Sequence, residues 1–245
     1  MCALRNFYEI HCNIKRKTRV NKLAIFDVDG TLIDSMGIDG ICYVQSVKEV
    51  LNIQYINEDW SAYNSATDKA IFIEIYEKNF HERPSAKVMD LHVKRFVQLL
   101  KMHVKNESIR KIPGANEIFK VLMDNNWNIG IATGCWRESI LYKLKIAGVD
   151  VEGLPLVTSS EMENRKELVS ECVRLSKKQY LVNEYERIVI IGDVVWDGKV
   201  AKESGFGFVG IKNGNDLSNY TKYIVDNYLD TARFINCMEC AHVSL

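Results

Sequence analysis

The chain lacks an excess of charge of either sign, because its 32 Lys and Arg residues balance 32 Asp and Glu residues. Proteins that bind nucleic acids usually carry a basic surplus, since contacts to phosphates dominate their affinity. We therefore expect no nucleic-acid partner, and we expect any anion site to be local. The basic cluster KRKTR at 15–19 lies in a predicted N-terminal arm, residues 1–21. A solvated arm is the simpler interpretation, and a tail that binds a polyanion is the alternative.

Long apolar runs are also missing from the chain. No stretch approaches the roughly 20 residues that a membrane-spanning helix needs, so we expect no membrane contact. The first 21 residues contain no continuous apolar segment of the kind found in a secretory signal. The seven cysteines are odd in number and scattered from Cys2 to Cys240, without the spacing of a disulfide framework. Reduced thiols in a cytoplasmic protein are the expectation.

What the chain does contain is a series of short, nearly continuous apolar runs, each closed by small or polar residues. These runs lie at 23–27, 128–133, 154–159, 187–192 and 206–211. Such runs are typical of strands that are buried on both faces, as in a parallel sheet. Segments with helical periodicity separate them. The alternation predicts an α/β fold, a Rossmann-like parallel sheet with helices on both faces.

One interval breaks this alternation. Residues 36–110 contain helical patterns but no convincing strand, and they separate the first predicted strand from the second. We interpret 36–110 as an inserted, all-helical cap domain. The core domain then consists of 22–35 and 111–236, and residues 237–245 form a C-terminal tail.

Acidic residues collect where two of the predicted strands end. The segment AIFDVDGTLIDS at 24–35 places Asp27 and Asp29 after the first strand, and Asp193 and Asp197 follow a later one. In open α/β sheets, ligands bind outside the carboxyl ends of the strands, so these side chains are expected to meet. Carboxylates this close repel one another unless a cation or a proton intervenes. Clustered hard oxygen ligands suit Mg²⁺, which is therefore the predicted cofactor.

Groups that could stabilise a phosphoryl group are expected at the same edge of the sheet. Thr133 and Gly134 close the second strand, and Lys166 lies at the start of a later helix. A hydroxyl, main-chain amides and an ammonium can offset phosphoryl charge, and an ionised Asp is a usable nucleophile at phosphorus. Arg165 directly precedes Lys166, so either cation could point into the site.

Four motifs, in this order along the chain, carry a resemblance to a known family. They are DVDGT at 27–31, Thr133 after a strand, Lys166 at a helix start, and GDVVWD at 192–197. The set resembles the haloacid dehalogenase superfamily. Within it, the likeness is to phosphatases with a helical cap inserted after the first motif, of the phosphoglycolate phosphatase or β-phosphoglucomutase type.

The resemblance implies a role for each matching residue. Asp27 matches the nucleophile that forms an aspartyl-phosphate, and Asp29 matches the general acid and base, whose main-chain carbonyl also binds Mg²⁺. Asp193 matches a direct metal ligand, and Asp197 a ligand or a neighbour of one. The implied metal set is Asp27, Asp29, Asp193 and Asp197. The implied phosphate-binding set is Thr133, Gly134 and Lys166, with Lys166 also orienting Asp27.

In the inserted domain, the segment WSAYNSATDKAI at 60–71 contains the remaining candidates. Asn64 and Thr67 are candidates for a substrate-specificity loop above the site, because phosphatases with similar caps use such loops. The alternative is structural, since Thr67 or Asp68 could cap the helix that follows.

We therefore predict a Mg²⁺-dependent phosphomonoester hydrolase that acts on a small phosphorylated metabolite, as a monomer or homodimer. Two alternatives stay open. A sugar phosphomutase of the same superfamily would pass the phosphoryl group to a sugar hydroxyl instead of water. A non-catalytic protein that binds a phosphorylated metabolite would be expected to lack the nucleophile, the acid or the metal carboxylate, and all of these are present.

Overall fold

The computed structural model of the protein describes residues 21–35, 37–104 and 109–241. The predicted basic arm at 1–21 lies outside the described residues except for its last position, and so does the predicted tail from 242 onward. The described residues form eight strands, eight helices and a 3₁₀ turn.

The strands are β1 (Lys22–Phe26), β2 (Ile33–Asp34), β3 (Arg110–Lys111), β4 (Trp127–Ala132), β5 (Leu156–Val157), β6 (Arg187–Gly192), β7 (Gly207–Ile211) and β8 (Ile224–Val225). The helices are α1 (Ile38–Leu51), α2 (Asp68–Phe80), α3 (Ala86–His103), α4 (Ala115–Asp124), α5 (Arg137–Ala147), α6 (Arg165–Tyr180), α7 (Val195–Ser204) and α8 (Thr231–Cys240), with the 3₁₀ turn at Trp60–Ala62. Among these described helices, none combines the length and the apolar character that crossing a membrane requires.

Six of the strands form one parallel sheet in the order β5-β4-β1-β6-β7-β8. The five strands predicted from apolar runs are all present, and the predicted fold class is confirmed. The edge strand β8 was not predicted, because two residues are too few to form a recognisable apolar run. β1 lies between β4 and β6, so the chain after β1 emerges in the middle of the sheet.

Alternating residues of β1 explain why both faces of the sheet are covered. Ala24 and Phe26 pack into a core with α4, α5 and α8. Leu23 and Ile25 pack into a second core with α6 and α7. Successive side chains of a strand point to opposite faces, so an uninterrupted apolar run supplies both cores at once.

The C-terminal boundary differs from the predicted one. α8 extends through Cys240, and Cys237 and Met238 are buried in the same core as Phe26. Residues 237–240 therefore belong to the core domain and not to a tail. The sequence analysis did not predict this last helix, whose apolar residues are spaced among polar ones.

The interval between β2 and β3 is helical, as the sequence indicated. α1, α2 and α3 pack around their own apolar core, which includes Tyr43, Phe72 and Phe96. β2 and β3 pair in an antiparallel manner, with Ile33 opposite Lys111 and with Asp34 opposite Arg110. The two chain crossings between this helical cap and the core domain are thus hydrogen-bonded to each other.

The cap core contains a fully buried histidine. His92 on α3 stacks on Phe72 with ring centroids 4.2 Å apart, and its Nδ1 lies 3.2 Å from Oγ of Ser46. Its Nε2 has no hydrogen-bond partner among the described residues. Burial lowers the pKa of His92 to about 3, because a charged imidazolium would lose its hydration in this apolar core.

Acid is expected to destabilise the protein through His92. An unfolded chain binds a proton at this residue near pH ~6.5, whereas the folded chain does so only at about pH 3. Between these values the unfolded state holds one proton more, so the free energy of unfolding falls by about 1.4 kcal/mol per unit decrease in pH. Urea unfolding at several pH values checks this. His92→Leu should flatten the dependence, and the exposed His103→Gln should not; equal dependence in His92→Leu and the wild type would contradict the assignment.

Candidate active site

The acidic residues predicted to meet do meet, where β1 and β6 end side by side. Asp27 follows β1, Asp193 follows β6, and the main-chain N–H of Asp27 donates to the carbonyl of Ile191 at 2.9 Å. Asp197 lies in the first turn of α7. Carboxylate oxygens of Asp27, Asp193 and Asp197 all lie within 4.8 Å of one another. We call these three residues the acid cluster, and all three are buried.

Asp193 is held in place by Thr31, from the DVDGT motif, and by Asn213, which the sequence analysis did not identify. Thr31 donates its hydroxyl to Oδ1 of Asp193 at 3.2 Å, and Asn213 donates its amide to Oδ2 at 3.1 Å. Gly30 makes this approach possible: its φ is +75°, and a methyl group at this position would overlap the Asp193 carboxylate. Asn213 lies in a loop after β7, and no local motif marks it as part of the site.

Crowding and burial shift the protonation of the acid cluster. Burial, followed by the charge of Asp197, raises the pKa of Asp27 well above its usual range. The same two causes raise the pKa of Asp193 to about 6. Burial also raises the pKa of Asp197, although the neighbouring guanidinium of Arg165 opposes the shift. Repulsion of this kind is what a bound divalent cation would offset.

The donor set fits a hard divalent cation. All three side chains offer carboxylate oxygens, which are the ligands that Mg²⁺ prefers. Oδ1 of Asp27 is buried and accepts no hydrogen bond from any residue that the structure describes. Asp27, Asp193 and Asp197 could therefore hold Mg²⁺ and leave room for its waters. The predicted ligation by the Asp29 carbonyl stays a prediction.

Arg165, and not Lys166, reaches the acid cluster. Nη1 of Arg165 lies 2.5 Å from Oδ1 of Asp197 and 3.5 Å from Oδ1 of Asp27. The side chain of Lys166 is exposed to solvent. Adjacent residues of a helix point about 100° apart, and here Arg165 faces the site while Lys166 points to solvent. The cation that faces the acid cluster is therefore Arg165, and the phosphate-binding role expected of a cation at this position stays a prediction.

Thr133 and Gly134 lie where they were predicted, at the end of β4. Thr133 is buried beside the acid cluster, and both residues line the same cavity. Gly134 is in close contact with the cap, because its carbonyl accepts from the main-chain N–H of Asp68 at 2.8 Å. A methyl group at Gly134 would come within 2.8 Å of the carbonyl oxygen of Ala66, so a side chain there would push the cap away.

The two predicted cap residues do not line the cavity. Thr67 accepts from the N–H of Ala70 and so caps α2, and its hydroxyl donates to the carbonyl of Glu163 at 2.5 Å. Asn64 is exposed and donates to Glu74 from both its main chain and its side chain. The structural alternative for Thr67 is thus the one observed, and the nearby cap carboxyl that does line the cavity is Asp68.

Asp29 belongs to a second group of charges. Its Oδ2 lies 2.5 Å from Nζ of Lys143, whose ammonium is also 2.7 Å from Oδ1 of Asp39. The thiol of Cys135 donates to Oδ2 of Asp29 at 2.9 Å. Burial alone lowers the pKa of Lys143, but Asp29 and Asp39 outweigh it and raise that pKa well above its usual value. The sequence analysis did not identify Lys143 as a site residue, although it interrupts the apolar stripe of α5 between Ile140 and Leu144.

Asp27, Asp193 and Asp29 open into a cavity of about 420 Å³ between the core and the cap. Its core side includes Asp27, Asp29, Thr133, Arg165 and Asp193, and its cap side includes Ala66 and Asp68. Burial and the charge of Asp39 raise the pKa of Asp68 to about 8. The arrangement therefore brings Asp27, the carboxylate of Asp29 and the guanidinium of Arg165 to one small space, beside three carboxylates that could hold a metal ion.

Comparison with protein families finds a match over residues 24–211 to the family described as haloacid dehalogenase-like hydrolase. A comparison with curated proteins finds no match. The family match spans both the core strands and the helical interval between β1 and β4.

Solved structures with the same fold include three informative cases. A predicted phosphoglycolate phosphatase from Haemophilus somnus is 17% identical, with a TM-score of 0.60 over 89% of this chain and 100% of that one. A candidate β-phosphoglucomutase from Bacteroides vulgatus is 12% identical, with a TM-score of 0.64 over 98% and 96%. CbbY from Rhodobacter sphaeroides in complex with phosphate is 15% identical, with a TM-score of 0.62 over 86% and 96%.

Arg165→Met is expected to weaken binding of inorganic phosphate, because it removes the guanidinium beside Asp27. A charge-assisted hydrogen bond contributes about 1.5–3 kcal/mol, so the dissociation constant should rise about 10-fold or more. Lys166→Met is the matched control and should change it less than about 2-fold, since the exposed side chain lies outside the cluster. Titration calorimetry with Mg²⁺ present makes the measurement. A larger effect of Lys166→Met than of Arg165→Met would contradict the expectation that Arg165 is the cation that binds phosphate.

Proposed function

The chain belongs to the haloacid dehalogenase-like hydrolase family, and on this premise we propose that it hydrolyses small phosphomonoesters through an aspartyl-phosphate on Asp27. The observation that carries the proposal is the acid cluster. Asp27, Asp193 and Asp197 converge on one point, and Arg165 adjoins them. This combination provides a nucleophile, metal ligands and a positive charge within reach of a single phosphoryl group.

In the proposed reaction, a carboxylate oxygen of Asp27 bonds to phosphorus while the bond from phosphorus to the ester oxygen breaks. Asp29 gives a proton to the departing oxygen, so that an alcohol leaves and not an alkoxide. Water then bonds to phosphorus, the bond to Asp27 breaks, and Asp29 takes the proton of the water. Both steps use the same carboxyl group, which ends in the state in which it began.

Groups at the strand ends would stabilise the negative charge of the phosphoryl group. Arg165 and the hydroxyl of Thr133 would bind the oxygens of the phosphoryl group, together with main-chain N–H groups of the loop after β4. Mg²⁺ held by Asp27, Asp193 and Asp197 would neutralise negative charge on the nucleophile and on the phosphoryl oxygens. Because phosphoryl transfer needs positioning more than covalent assistance, a small and preorganised cavity suits it.

The substrate is proposed to be a small phosphorylated metabolite. The cavity of about 420 Å³ is closed on one side by the cap at Ala66 and Asp68, which restricts what can accompany the phosphoryl group. The phosphate in the Rhodobacter sphaeroides protein supports an anion site on this fold. We further propose a cytoplasmic monomer or homodimer, in keeping with the scattered cysteines.

Sugar phosphomutase activity is the second candidate, supported by the likeness to the Bacteroides vulgatus protein. The two functions share the aspartyl-phosphate and differ in what accepts its phosphoryl group. A mutase would convert one sugar phosphate into its isomer faster than it releases inorganic phosphate. Product analysis with labelled sugar phosphates separates the two.

Asp27→Asn is expected to lower phosphate release from p-nitrophenyl phosphate about 10³-fold or more, because an amide is not a usable nucleophile. The fold should be retained, since the side chains have the same shape. The exposed Asp226→Asn serves as a control and should leave the rate unchanged. A colorimetric rate assay with circular dichroism of each variant makes the comparison. Activity that survives Asp27→Asn would rule out this nucleophile.

Removal of divalent cations with EDTA is expected to abolish phosphate release, and added Mg²⁺ should restore it. Asp193→Asn should raise the Mg²⁺ concentration needed for half-maximal rate about 10-fold or more, because one charged ligand is lost. Rates measured over a Mg²⁺ titration test both statements. Full activity in EDTA, or an unchanged Mg²⁺ requirement in Asp193→Asn, would contradict the proposed metal role.

A further inference from the structure

Lys143 is a charged residue in a place where apolar residues are expected. It lies on the face of α5 that also carries Ile140 and Leu144, and its side chain is 0% exposed. An ammonium at such a position is costly unless carboxylates surround it. Asp29 and Asp39 provide them, at 2.5 Å and 2.7 Å.

The two oxygens of Asp29 have different surroundings. Oδ2 receives the ammonium of Lys143 and the thiol of Cys135. Oδ1 is buried and accepts no hydrogen bond from the described part of the chain, and Asp29 lines the cavity. One oxygen is therefore anchored, and the other remains available for a proton.

We propose that Lys143 is a positioning residue that anchors Oδ2 of Asp29, so that Oδ1 exchanges protons with the leaving oxygen and the attacking water. This inference rests on the proposed function, in which Asp29 is the acid and base. Asp39, in the first turn of α1, anchors the other side of the ammonium from the cap.

A purely structural role for the ion pair and a positioning role for Lys143 predict different effects of removing the ammonium. Loss of a structural pair would slow all substrates alike, through a general loosening of the interface. Loss of the anchor would selectively slow esters whose leaving oxygen must be protonated. p-Nitrophenolate is a weak base and leaves without a proton, whereas the oxygen of an alkyl ester must be protonated as it leaves.

The test compares phosphoenzyme formation from glycerol phosphate and from p-nitrophenyl phosphate in a rapid-quench experiment. In Lys143→Met, the rate with glycerol phosphate should fall about 100-fold, and the rate with p-nitrophenyl phosphate less than about 3-fold. Lys143→Arg, which keeps the charge, should restore part of the difference. Lys145→Met, an exposed lysine on the same helix, is the matched control and should change neither rate.

Lys143→Met leaves two partly buried carboxylates without their cation and can unfold for that reason. The double variant Lys143→Met/Asp39→Asn removes one of those charges together with the ammonium, and it must show the same selective loss. Equal slowing of both substrates, or no slowing, would overturn the positioning role while the wild type stays active. A wild type that forms no phosphoenzyme from either ester would instead overturn the proposed function, and this inference with it.

Discussion

Like-charge repulsion among buried carboxylates is the constraint on which the rest of this site depends. Asp27, Asp193 and Asp197 come within 4.8 Å of one another because β1 and β6 are neighbours and both end there. Burial makes their charges costly, and the raised pKa values of Asp27 and Asp193 record that cost. A fold tolerates such a cluster when a cation offsets it, and here the guanidinium of Arg165 does so in part. A divalent ion would supply the positive charge that is still needed to balance the three carboxylates.

Two cations divide the charges of the cavity between them. Arg165 is bonded to the acid cluster at Asp197, and Lys143 is bonded to Asp29 and Asp39. Each cation also touches the cap, since Arg165 donates to the carbonyl of Ala66 and Asp39 belongs to α1. The position of the cap and the electrostatics of the cavity are therefore linked. Movement of the cap would change the partners of both cations, which ties access to the site to the arrangement of its charges.

The outcome for individual residues shows where sequence reasoning is strong and where it is weak. The grouping of Asp27 with Asp193 followed from strand ends and parallel topology, which depend on local patterns. Local patterns could not distinguish Arg165 from Lys166, because the cation that faces the site depends on how α6 is rotated against the sheet. The sequence allowed two roles for Thr67, the N-cap of helix α2 or a substrate contact. Its hydrogen bonds with Ala70 and Glu163 show that it is the N-cap. Asn213 supports Asp193 from a loop without a motif.

The fold class, the helical insertion and the set of acidic residues could be predicted, because apolar periodicity and the residues at strand ends lie in contiguous segments of the chain. Three features became visible only in the folded protein: the cation that faces Asp27, the ammonium paired with Asp29, and the packing of the last helix into the core. The physical reason is the same in each case. A charge partner or a packing partner far along the chain is selected by how helices dock on the sheet, and no local spacing encodes that docking.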